Sequence, residues 1–172
     1  MLLDVVIAAC AALASVGVVM AGFRLTGRKA PRNLLMALAA VAIVGVTATL
    51  RYQWASNTEQ LLPPEMVVIE RLTFTNPIEP WSVIHPVTDR LVVLDRGSLR
   101  RHAAHPDMVM VDVLLVRRDH DTLIARHVVD CRARRDAVMP GDADLAAGDL
   151  PTDLRWASDA PPALYDISCQ PL

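Results

Sequence analysis

Aromatic residues are scarce in this sequence, at 4%, and lysine occurs once, at Lys29. The larger absence is of charge. Residues 5–23 and residues 33–50 contain no Asp, Glu, Lys or Arg. Hydrophobic residues make up 53% of the chain, and that aliphatic excess is unevenly placed. Such a composition excludes a disordered chain, a coiled coil and a simple water-soluble globule. No region is strongly basic as a whole, so nucleic acid is not an expected partner. Sixteen of the seventeen basic residues are Arg, which reflects a GC-rich genome more than arginine chemistry. Neither GxGxxG nor GxxxxGKS/T occurs, so no phosphate cradle is visible.

What is present divides at about residue 59. Residues 1–59 carry five basic and two acidic residues, a net of +3. Residues 60–172 carry twelve basic and seventeen acidic residues, a net of −5. In the first part, the nineteen uncharged residues 5–23 would rise about 29 Å as a helix, enough to cross a hydrocarbon core. The apolar run 34–50 becomes a second span if its interfacial ends are counted, with Tyr52 and Trp54 as an aromatic belt. Two membrane helices are therefore expected, at about 2–23 and 33–54. The loop 24–32 joins them, with Gly27 and Pro31 marking a turn. Its basic residues Arg24, Arg28, Lys29 and Arg32 place it in the cytoplasm by the positive-inside rule. Everything after Arg51 then lies in the periplasm of a bacterial inner membrane. A cleaved signal peptide fits poorly, because Asp4 stands where a basic segment belongs and the second span would be unexplained. A lipobox at residues 7–10 comes too early to leave a hydrophobic region before it.

Small residues recur at helical spacing in both spans: Ala8, Ala12, Ser15 and Gly22, the pair Gly17 and Ala21, and the pair Gly45 and Thr49. Such positions let helix backbones approach closely, either within the hairpin or against a larger membrane protein. Neither span has an ionisable residue in its middle, so a proton relay or side-chain ligation of haem there is not expected.

Residues 55–64 read as a linker, and residues 65–172 are enough for one small core. Short apolar runs at 91–95, 108–116, 123–131 and 137–139 predict a meander of antiparallel strands. Turns are expected at 96–98, 119–121 and 132–135, and an irregular insertion at 140–153. Residues 163–167, after Asp159-Ala160-Pro161-Pro162, predict a short helix. The fold class is thus a membrane helical hairpin plus a small, mainly β extracytoplasmic domain. Cys131 and Cys169 are the only cysteines outside the spans. In an oxidising compartment a disulfide is the default for them, and a redox pair would lack CxxC spacing.

Several segments carry a resemblance: Leu91-Val92-Val93-Leu94-Asp95 with Ser98-Leu99-Arg100-Arg101, and the strand 109–116. Val128-Val129-Asp130-Cys131 follows, with the basic turn Arg132-Ala133-Arg134-Arg135, and then Trp156 and the final Cys169. Residues 81–169, about half of the chain, resemble the surface-adhesin protein E-like family of small secreted or periplasmic β domains. The resemblance implies a sheet with a Cys–Cys clamp and carries no reaction. The chain departs from that pattern by its membrane hairpin and by Asp136-Ala137 where an aromatic is common.

Chemistry-bearing motifs are few. His102 and His105 have a spacing that suits a metal on a helix, but their flanks read as a loop without a third ligand. His127 alternates along a strand. Asp130 beside Arg132, Arg134 and Arg135 reads as a solvated ion-pair cluster or a contact for an acidic partner. Ser98 and Ser168 lack a nucleophile-elbow context. No cofactor and no enzymatic activity are expected. The expected function is that of a non-catalytic accessory subunit docked in a larger inner-membrane complex, with electron-transfer complexes the candidates by size and layout. A free-standing anchored ligand-binding or adhesion module is the alternative.

Overall fold

The structure, a computed structural model, describes residues 2–75, 77, 79–102, 105–139 and 154–170. The chain forms two compact units, Met1–Trp54 with Asn76–Val87, and Ala55–Thr75 with Thr88–Leu172.

The helices α1 (Leu2–Leu25), in the first unit, and α2 (Arg32–Leu61), of which residues 32–54 belong to the first unit, are long and apolar enough to cross a membrane. Apolar residues surround both helices instead of forming one stripe. Gly27, at φ 67°, ends α1 in the left-handed conformation that suits glycine, and the Arg28 N–H donates to the Phe23 carbonyl. The Pro31 carbonyl accepts the N–H groups of Leu34 and Leu35 and opens α2. The expected linker at 55–64 is instead helical to Leu61. Residues 51–61 hold no helix breaker, and Pro63 and Pro64 supply the stop. A further short helix, α3 (Pro80–Ile84), was not foreseen.

The second unit is a five-stranded antiparallel sheet in sequence order: β1 (Met66–Phe74), β2 (Val87–Arg101), β3 (Met108–Arg117), β4 (Leu123–Asp130) and β5 (Arg135–Val138). A last helix, α4 (Pro162–Ser168), matches the expected one closely. The strand β1 had no sequence-based counterpart. The turn expected at 96–98 is an irregularity inside β2, where register shifts between Asp95 and Arg100. Asp95 Oδ1 accepts the Gly97 N–H at 2.8 Å, and Ser98 Oγ donates to the Asp95 carbonyl. The Asp112 N–H of β3 then donates to Ser98 Oγ at 2.8 Å. A side-chain oxygen thus replaces a missing ladder partner, so the chain bulges without leaving the sheet. The expected insertion at 140–153 lies outside the described residues.

Leu94, Val111, Val113 and Val129 line one sheet face and meet Leu164 and Tyr165 of α4. The register explains the grouping. Leu94 is opposite Val113, and Val111 and Val129 share that pleat face.

Candidate functional site

A polar cluster of the second unit surrounds the β4–β5 turn. Asp130 ends β4, and its Oδ1 accepts the N–H groups of Arg132 at 3.1 Å and Ala133 at 3.0 Å. Its Oδ2 accepts from Arg135 Nε at 3.0 Å. Burial pushes the Asp130 carboxyl up, but the Ala133 N–H, the Arg135 guanidinium and the Arg132 N–H together outweigh it. The net effect holds the group below its ordinary 3.8. This is an Asx-type turn anchor, not the solvated face expected from sequence. Asp130 is 7% exposed, and Arg134 completes the turn at φ 49°.

Beyond the turn, β4 and β5 place His127 and Asp136 diagonally on one face, since His127 is opposite Val138 and Val129 opposite Asp136. His127 Nδ1 lies 2.9 Å from Asp136 Oδ2. Tyr165 donates its hydroxyl to Asp136 Oδ1 at 3.0 Å. Burial, followed by the hydrogen bond and charge of Asp136, raises the Tyr165 hydroxyl to about 12. The Asp136 backbone also exchanges two 2.8 Å hydrogen bonds with Ala157. This buried acid joins two strands, a helix and a returning segment. Sequence reading missed it because its partners are 9 and 29 residues away.

The cluster is closed covalently. Cys131 in the turn and Cys169 after α4 form a disulfide with Cα atoms 5.6 Å apart. Arg135 lies over the Trp156 ring at 4.6 Å, and Arg134 over Tyr165 at 5.4 Å. The described contacts use these groups to hold one another: the carboxylates accept from turn, ring and hydroxyl. His102 is buried and its Nδ1 accepts the His105 N–H at 3.1 Å, with the two rings 5.2 Å apart. That nitrogen is committed to shaping the loop. Among the described residues no group of three or more His, Cys, Asp or Glu could hold a metal.

In the first unit the small residues fall into two sets. Ala8 and Ala12 are buried and Ser15 is half-buried. Gly17, Ala21, Gly22, Gly45 and Thr49 are exposed. A Cβ built on Gly17, Gly22 or Gly45 meets nothing within 4 Å. Shallow outward grooves lie at two of these glycines, one lined by Val18, Val19, Gly22 and Phe23, the other by Ala40, Val41, Val44 and Gly45. The hydroxyls of Ser15, Thr47 and Thr49 each donate to a carbonyl three or four residues back at 2.8 Å. These three hydroxyls are therefore satisfied within their own helices. Arg24, Arg28, Lys29 and Arg32 are all exposed around the α1–α2 connection. Tyr52 is exposed and Trp54 half-buried, one and three residues past Arg51.

No family model, curated protein or solved structure matches the chain.

Proposed function

We propose that this chain is a two-span protein of the bacterial inner membrane, acting as a non-catalytic accessory subunit of a larger membrane complex. The basic loop faces the cytoplasm and the disulfide-closed sheet domain faces the periplasm. One observation carries the reading: many of the large apolar side chains of α1 and α2 are exposed. Leu13 is 74% exposed, Val18 72% and Val41 69%. Surfaces of that kind need an apolar surrounding, and in lipid every backbone polar group must be met internally, as these helices do. The exposed Gly17, Gly22 and Gly45 support docking, because close helix contact in lipid depends on small residues and these are not used inside the chain. The mutually bonded groups around Asp130 and Asp136 support a structural role.

Mild-detergent extraction and native-gel sizing test the reading. Co-migration with a large assembly is expected, and Gly17→Leu or Gly45→Leu should abolish it while leaving insertion intact. A species near 18.8 kDa plus detergent would overturn the subunit reading in favour of an anchored module. Orientation is tested with a Cys10→Ser background. A cysteine replacing Thr26 should resist a membrane-impermeant thiol reagent in intact cells, and one replacing Asp119 should react.

A further inference from the structure

We propose that α3 is an interfacial foot, held against the end of the second apolar run so that Val83 and Ile84 enter the boundary layer of the bilayer. The inference rests on the reading of α1 and α2 as membrane spans.

The segment is short but firmly built. Glu79 precedes the helix, and its carbonyl accepts both the N–H and the Oγ of Ser82, at 2.8 and 2.7 Å. Ser82 is 1% exposed and Glu79 9%. The His85 N–H closes the turn onto the Trp81 carbonyl at 3.0 Å. Two grips then tie the segment to α2. Arg51 Nη2 reaches Glu79 Oε1 at 2.8 Å. The Tyr52 hydroxyl donates to the His85 carbonyl at 2.6 Å. These gripping residues are consecutive and follow directly on the uncharged run that ends at Leu50. At about 1.5 Å rise per residue, both grips lie within one helical turn of the end of that run. The height of α3 is therefore set at the level where the apolar surface of α2 gives way to polar residues.

At this level the segment exposes what a membrane boundary accepts. Val83 is 65% exposed and Ile84 76%, although the residues around them are tied down. Tyr52 and Trp54, exposed and half-buried, follow directly on the uncharged run in the same unit. Aromatic rings of this kind concentrate at headgroup depth, where one end of the ring is apolar and the other wet. Residues 80–86 carry no formal charge that would resist entry. A lipid boundary explains together the depth, the aromatics and the pair of outward β-branched side chains.

The test uses the full chain with Cys10→Ser, reconstituted in vesicles of phosphatidylcholine and phosphatidylglycerol. A polarity-sensitive fluorophore is attached through Ile84→Cys, with Leu13→Cys and Asp119→Cys as references. Lipids bearing a nitroxide near the headgroup should quench the label at position 84 at least twofold and shift its emission to the blue. The label at 119 should stay unquenched, and that at 13 should be quenched by nitroxides deep in the acyl chains. A label at 84 that behaves like that at 119, while 13 is quenched, would overturn the foot and leave the spans standing. Loss of quenching at 13 would overturn the membrane reading itself. Tyr52→Phe removes one grip, and it should weaken quenching at 84 without changing 13. Unchanged quenching at 84 would show that this grip does not set the depth.

Discussion

The two units of this protein use the same aliphatic residues in opposite ways. In the sheet unit, Leu94, Val111 and Val129 are fully buried. In the helical unit, Leu13, Val18 and Val41 are largely exposed. Leu, Val and Ile carry no instruction about which side to face. Packing decides that: Val93 and Leu94 point to opposite faces of the sheet and both are fully buried, whereas an unbroken apolar run along a helix surrounds its axis. The sheet unit brings its own apolar interior, closed by α4 and a disulfide. The helical unit has almost none and depends on what surrounds it.

The sharpest way to break this comparison is to truncate one leucine in each unit. Leu94→Ala removes a fully buried side chain and should cost the sheet unit about 2–5 kcal/mol. Leu13→Ala should leave its denaturation midpoint unchanged. Denaturant melts of the full chain in detergent, followed by the near-ultraviolet signal of Trp156, measure both. Equal effects would mean that the two units are not independent in their packing.

Cutting the clamp tests the sheet unit next. Cys131→Ser or Cys169→Ser should destabilise it by about 2–5 kcal/mol, the usual range for small disulfide-bonded domains. Helix content in α1 and α2, followed by far-ultraviolet circular dichroism at intermediate denaturant, should be preserved. If non-reducing denaturation of the wild type finds two free thiols beyond the helices, the clamp is wrong.

Proton linkage sharpens the contrast further. The Tyr165 hydroxyl titrates near 12 when folded and near its ordinary 10.0 when unfolded. Between those values the unfolded chain has lost a proton that the folded chain keeps, so stability falls as pH rises through that window. The loss is up to about 1.4 kcal/mol per pH unit. Tyr165→Phe should flatten the decline. At the acid end Asp130 acts in the opposite sense. Its folded value lies below 3.8, so its contribution is present above that pH and is lost as pH falls through the folded value. Asp130→Asn should remove that acid-dependent part. Stability measured across both ranges in the same detergent checks each sign.

The smallest effect is expected at Arg134. Its partner Asp166 is 62% exposed and Arg134 itself 59%. Arg134→Ala should change the sheet unit by less than about 1 kcal/mol. A larger loss would assign the contact of Arg134 with the Tyr165 ring a greater share than its exposed position implies.

The apolar runs, the basic connection and the sheet meander were readable because each is a local pattern. Charge-free length, the turn signals at Gly27 and Pro31, and the apolar run at 108–116 are each patterns of neighbouring residues. Proline placement is equally local, yet residues 55–61, which read as linker, continue α2 as helix. Polarity sets what a helix faces, but Pro63 and Pro64 set where it stops. The Ser98 bulge looked like a turn for a related reason. Asp95, Gly97 and Ser98 are turn formers in isolation, and only the opposing Asp112 N–H made them part of a strand.

Local spacing along the chain by itself determined two helices with charge-free runs joined by a basic turn, several strands, the closing helix and two cysteines available for pairing. Which groups meet was decided by tertiary structure alone. Asp136 became the hub of His127 and Tyr165 because the β4–β5 register and the placement of α4 bring them within 3.0 Å. Gly17 and Gly45 were left facing outward, and Ala8 and Ala12 inward, because helix rotation depends on the packed partner. The grip of Arg51 and Tyr52 on α3 spans about thirty residues of sequence. Such contacts come from side-chain positions that no local period encodes, since each depends on where two distant backbones are fixed in space.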